Sequence, residues 1–226
     1  MIIAITGQKG GVGKSTLAVC LAIEFQERGQ RVLLVDADPQ GSVRTWSEVA
    51  AEAGQSTPTV MAMGATMHRP GQLDQLAAGY DVVLIDSPPR HGDIQRSALL
   101  ASHVAILPSG PAAVDAWALA SSLEVIDEAK VVRPDLRACI VITRKQGRTT
   151  LGRAAREVFA TSGLPVLETE LGYRIAFQEC MAAGQGVTTY APRDAAALEL
   201  RSLVDNLIAF ATGEHHDDVE AHRQLA

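Results

Sequence analysis

The chain is 226 residues long, 47% apolar and 20% charged, with a formal net charge of −6. That length suits one domain with a large core, the composition excludes a disordered chain, and the negative balance excludes a uniformly basic nucleic-acid binder. No apolar run approaches the roughly 20 residues of a membrane span, and a strand is expected from residue 2 with no signal peptide ahead of it. Cys20, Cys139 and Cys180 are widely spaced in apolar or helical surroundings. They read as buried thiols in a reducing compartment, and no Cys-x-x-Cys or Cys/His cluster suggests a metal centre.

Strand and helix patterns alternate along the chain, which predicts an α/β fold: a doubly wound, mostly parallel sheet with helices on both faces. The first strand, Ile2-Ile3-Ala4-Ile5-Thr6, runs into Gly7-Gln8-Lys9-Gly10-Gly11-Val12-Gly13-Lys14-Ser15-Thr16 and then a helix from Leu17. Strand, glycine-rich loop and helix together form a phosphate cradle. Successive backbone N–H groups turn toward one anion, and the helix N-terminus adds its partial positive charge. Lys14 is placed to reach the β- and γ-phosphates of a nucleotide, and the Ser15 hydroxyl to ligate Mg²⁺.

The second strand, Arg31 to Asp36, is succeeded by Ala37-Asp38-Pro39-Gln40 and a helix from Ser42 to about Ala53. Asp36 and Asp38, two apart where a strand gives way to a loop, point the same way and face the ligand side of an open sheet. The alternative is that one of them caps the next helix. A short strand at 59–63 and a weak helix near 71–78 precede Tyr80 to Asp86, the clearest buried strand, which ends in one acid and the rigid turn Ser87-Pro88-Pro89. Further strands are expected at 103–108, 137–143 and 165–169, with helices at 112–130, 149–161 and 193–212. The domain is expected to span 1–213, with 214–226 as a polar tail carrying three histidines.

Charge is uneven. Between Arg133 and Arg156 stand seven basic residues and one acid, Asp135, a balance of +6, so the other 202 residues carry −12. Arg144, Lys145, Arg148, Arg153 and Arg156 form a candidate phosphate-binding strip, with few local acids to pair them. A solvated charged face is the competing reading.

The loop departs from the generic G-x-x-x-x-G-K-[ST]: Gln8 stands where the first glycine is expected, and a second lysine, Lys9, opens the loop. In this respect K-G-G-V-G-K-S-T resembles the deviant Walker A loop of the ParA/MinD family of ATPases, specifically the small ParA-type partition proteins. The Asp36-Ala37-Asp38-Pro39-Gln40 and Asp86-Ser87-Pro88-Pro89 segments resemble the same family, as does the late Gly184 to Pro192 stretch. The resemblance implies ATP and Mg²⁺ as cofactors. Residues 9–16 (Lys9, Gly10, Gly11, Val12, Gly13, Lys14, Ser15, Thr16) would hold the phosphates. Lys9 would act in trans across a homodimer, Asp38 would steer the attacking water, and Asp36 and Asp86 would hold Mg²⁺ through its water shell. Thr143 and Arg144 would contact adenine, although the asparagine common there is absent. Arg174 would join the strip in binding non-specific double-stranded DNA. A ParB-like or adaptor partner would stimulate hydrolysis, and the protein would be cytoplasmic and associated with the nucleoid. The same resemblance leaves open the positioning of a protein cargo. It also leaves open MinD-like membrane cycling, which the acidic tail disfavours, and a metal-cluster carrier, which the absence of paired cysteines disfavours.

Overall fold

The computed structural model describes residues 1–146 and 150–213, with the backbone alone at 113–117 and 150–154. Arg148 and the tail therefore lie outside the described residues, as do the side chains of Asp115, Trp117 and Arg153. The elements run β1 (Ile2–Ile5), α1 (Lys14–Glu27), β2 (Val32–Asp36), α2 (Ser42–Glu52), β3 (Thr59–Ala62), α3 (Leu73–Ala77), β4 (Val82–Asp86) and α4 (Gly92–Ala101). They continue with β5 (Val104–Ser109), α5 (Ala113–Val132), β6 (Arg137–Ile142), α6 (Thr150–Ala160), α7 (Ala176–Ala182), α8 (Val187–Tyr190) and α9 (Ala195–Thr212).

The six strands form one all-parallel sheet in the order β3-β2-β4-β1-β5-β6. Strands covered on both faces need apolar residues at every position, and β1, β2 and β4 are buried end to end. Their side chains alternate between two layers. Ile3, Ile5, Leu34, Leu84, Ile106 and Val141 pack on α1, α7 and α9. Ala4, Leu33, Val35, Val83 and Ile85 face α3 and α4, while Leu107, Ile140 and Ile142 face α5 and α6. Helix α1 is buried continuously from Leu17 to Phe25, so the phosphate loop rests on a rigid central element. Gly213, at φ 92°, stops α9 in the left-handed conformation that glycine adopts without steric cost.

Residues 165–169 do not form the expected strand. The segment runs beside β6 through single bridges, Ile140 to Val166 and Lys145 to Gly172. Pro165 has no N–H to give a ladder, and the Thr169 N–H goes to Asn206 Oδ1 at 3.0 Å. Helices α4, α7 and α8 are not legible as helices in the sequence. The first follows the Ser87-Pro88-Pro89 turn, and α8 lies within the Gly184 to Pro192 stretch.

Candidate functional site

The carboxyl ends of β1, β2 and β4 are neighbours in register: Ile5 pairs with Asp86, and Asp86 with Asp36. The phosphate loop leaves β1 at this edge, so Lys14, Ser15, Asp36, Asp38 and Asp86 converge on the crevice where open parallel sheets bind ligands. Gly11 and Gly13 hold φ of 75° and 93°. No atom lies within 4 Å of a Cβ placed at either, so the requirement for glycine comes from backbone conformation. No side chain caps α1 at Gly13, which leaves its N-terminus facing the crevice.

Lys14 is 6% exposed, and its ammonium donates to the Lys9 carbonyl at 2.8 Å, closing the loop on itself. Burial lowers its pKa, while Asp86 and Asp38 act the other way. Asp86 is fully buried, and neither of its oxygens has a hydrogen-bond partner among the described residues. Burial pushes its pKa up to about 7, which the nearby Ser15 hydroxyl offsets only in part; Asp36 adds to the rise. A bare buried carboxylate beside a hydroxyl is an all-oxygen donor set that fits Mg²⁺. No cluster of three or more His, Cys, Asp or Glu side chains that could hold a metal ion occurs among the described residues.

Asp36 behaves differently. One oxygen accepts from the Asp38 N–H at 3.2 Å, and the other accepts from Arg44 N at 3.0 Å and Arg44 Nε at 3.3 Å. It therefore caps α2, the alternative left open by the sequence, and positions the Asp38 backbone. Asp38 is half-buried and accepts from Gln40 N at 2.9 Å, an Asx turn that holds its carboxylate at the crevice.

Beside the loop lies a cavity of about 230 Å³ lined by Gly11, Thr143, Arg144, Leu171, Tyr173 and Phe177, among others. Thr143 Oγ1 donates to Val12 O at 3.1 Å, and Arg144 donates to Gly11 O at 2.6 Å with its guanidinium over the Tyr173 ring. Both residues expected at a nucleotide base are thus on the cavity wall. No sequence signal marks Leu171 or Phe177, which α7 and the segment after residue 165 bring in.

The basic strip is corrected on one point: distant acids pair it. Lys145 and Arg156 share Glu170, with Arg156 Nε at 3.0 Å, and Arg174 pairs with Glu199 at 2.5 Å. Arg174 also lies on the cavity wall. Arg148 and the Arg153 side chain are outside the described residues.

The family model for the CobQ/CobB/MinD/ParA nucleotide binding domain matches residues 3–187. The maintenance of carboxysome distribution protein A of Halothiobacillus neapolitanus is 29% identical over 209 residues, covering 91% of this chain and 95% of that protein. The chromosome-partitioning ATPase Soj of Thermus thermophilus is 30% identical over 236 residues, covering 92% and 95%. The solved structure of the septum site-determining protein MinD of Pyrococcus horikoshii, complexed with Mg-ADP, superposes with a TM-score of 0.68 over 93% of this chain and 98% of that one, at 21% identity, a likeness of fold. The chain belongs to the CobQ/CobB/MinD/ParA nucleotide-binding family, as a P-loop ATPase of the ParA/MinD type.

Proposed function

We propose that the protein is a ParA-type switch in which ATP drives homodimerisation and non-specific DNA binding, and a partner protein triggers hydrolysis to partition a plasmid or chromosome. The observation that carries the nucleotide half is the bare, buried Asp86 beside Ser15 and Lys14. The likeness to a chromosome-partitioning ATPase over nearly the whole chain supports the partition half.

The phosphates would lie on the backbone N–H groups of residues 10–16, with the base in the cavity walled by Thr143, Arg144, Tyr173 and Phe177. Lys14 would give up its bond to the Lys9 carbonyl to bind the β- and γ-phosphates, and Lys9 would act on the partner's nucleotide. Ser15 would hold Mg²⁺, with Asp86 reached through water, to neutralise charge on the phosphates, while Asp36 fixes the Asp38 backbone and the start of α2 beside it. Asp38 orients the attacking water. Catalysis is positioning plus electrostatics, which are the main terms in phosphoryl transfer. Dimerisation pairs two basic strips, so the ATP state binds DNA far more tightly than the monomer.

Within each strip, Arg144, Lys145, Arg156 and Arg174 against Glu170 and Glu199 leave a net +2 among the described residues. Among the described residues no helix is long and apolar enough to cross a membrane. The likeness to a carboxysome distribution protein favours a second reading in which the same ATPase positions a protein cargo on DNA.

The test is fluorescence anisotropy of a random-sequence duplex with ATP, ADP or no nucleotide, at two salt concentrations, with Lys9→Ala as control. Binding that needs ATP, weakens with salt and is lost in Lys9→Ala is expected. Intact ATPase activity with no DNA binding in any state would retire the DNA reading.

A further inference from the structure

Gln95 on α4 is 1% exposed, and its side-chain amide is engaged on two of the loops that leave the sheet at the crevice, those after β1 and β4. Its Oε1 accepts from Gln8 Nε2 at 2.9 Å. Its Nε2 donates to Pro88 O at 2.9 Å and to Gly7 O at 3.3 Å. Gly7 and Gln8 open the phosphate loop, and Pro88 comes after Asp86 and Ser87. The Gln8 N–H is held in turn by Ser122 Oγ of α5 at 3.0 Å. The departure at Gln8 from the generic loop therefore has a structural partner: a glycine there would have no side chain to meet Gln95.

The chemistry calls for a neutral amide. Two carbonyl oxygens face Nε2 and one N–H donor faces Oε1, so the partners fix which way the amide points. A carboxylate at this position would set an oxygen against the carbonyls of Gly7 and Pro88. A leucine would leave both carbonyls and the Gln8 amide without their partner, in a buried setting where unmade bonds are costly.

We infer that Gln95 is a positioning residue for ATP hydrolysis: through Gln8 and Pro88 it holds the phosphate loop and the Asp86–Pro89 loop in one fixed relation. Lys9 is the residue after Gln8, and Asp86 stands two before Pro88, so the clamp sets both launch points together. The inference rests on the hydrolysis half of the proposed function and is independent of DNA.

The full chain is assayed as wild type, Gln8→Ala, Gln95→Leu, Gln95→Glu and Gln8→Ala/Gln95→Leu. The readouts are kcat at saturating Mg-ATP, affinity for a fluorescent ATP analogue, and thermal melting. Gln95→Leu is expected to lower kcat by about tenfold or more, with a much smaller change in nucleotide affinity. Gln95→Glu should fall at least as far. The double variant should be no worse than Gln95→Leu alone, because both changes remove one shared contact. Wild-type kcat in Gln95→Leu, or losses that multiply in the double variant, would reduce the clamp to packing and overturn the inference. Should Gln95→Leu fail to fold, Gln8→Ala at a half-exposed loop position decides alone, and normal kcat there overturns it. A wild-type chain that hydrolyses no ATP would instead overturn the proposed function on which the clamp rests.

Discussion

Asp36 and Asp86 are register partners at the ends of neighbouring parallel strands, yet one carboxylate is fully engaged and the other has no hydrogen-bond partner among the described residues. The difference lies in the segment after each strand. After Asp36 the loop N–H of Asp38 and the first-turn N–H of Arg44 in α2 return to the carboxylate, whereas after Asp86 the residue in the place of Asp38 is Pro88, which has no N–H to give. Asp86 is thus the group that has most to gain from a cation. In the nucleotide-free protein its pKa is pushed up to about 7 from an ordinary value of 3.8. The native state therefore binds the extra proton between those values, and stability falls as pH rises through that window. The stability advantage of Asp86→Asn over wild type should widen by about 1–3 kcal/mol between pH 5 and pH 8 in denaturant unfolding without nucleotide. An equal difference at both values would show that the carboxylate is solvated in solution.

Lys14→Ala should abolish ATP binding. The ammonium is buried and faces Asp86 and Asp38, so it supplies the main positive charge inside the crevice. Its loss also frees the Lys9 carbonyl and loosens the loop. Nucleotide titration by isothermal calorimetry checks this, and unchanged affinity would remove Lys14 from the phosphate site.

Much of this crevice is legible in the sequence because it is built from local signals. Apolar runs that end in Asp36 and Asp86 specify both the strand and the edge on which the acid emerges, and the glycine pattern at 10–13 specifies the loop. The illegible parts depend on contacts far apart in sequence. Glu170 reaches Lys145 and Arg156, Glu199 reaches Arg174, and Gln95 reaches Gln8. A strip that is short of acids in sequence is therefore paired in space. The segment at 165–169 has a strand's apolar content, but its proline and its bond to Asn206 prevent a regular ladder.

Asp38 requires a substitution that separates its charge from its turn. Its carboxylate steers water in the proposed mechanism but also accepts from Gln40 N to shape the entry to α2. Asp38→Asn keeps an acceptor for that turn and removes the charge. It should bind ATP with near-normal affinity, hydrolyse it about a hundredfold more slowly, and accumulate as an ATP-bound dimer in analytical ultracentrifugation. Normal turnover would assign Asp38 to the turn alone.

The paired strip makes an unusual demand: removing an acid should strengthen DNA binding. Glu170 is largely buried and neutralises both Lys145 and Arg156. Glu170→Gln retains hydrogen-bonding capacity at nearly the same volume while deleting one negative charge. If the strip meets phosphates, the ATP-bound variant should bind a random duplex more tightly than wild type, with a steeper dependence on salt, since each phosphate newly neutralised releases close to one counterion. The opposite change, glutamate at Arg144, Lys145 and Arg148, should weaken binding while leaving ATP hydrolysis in place. Arg144 also contacts Gly11 and the cavity, so nucleotide affinity must be measured alongside. Opposite shifts from the two variants at constant nucleotide affinity would locate the DNA surface on this strip. If Glu170→Gln left DNA affinity and salt slope unchanged, Glu170 would be a structural counter-charge, fixing the segment after residue 165 against α6, and the template would have to be met by another face of the dimer.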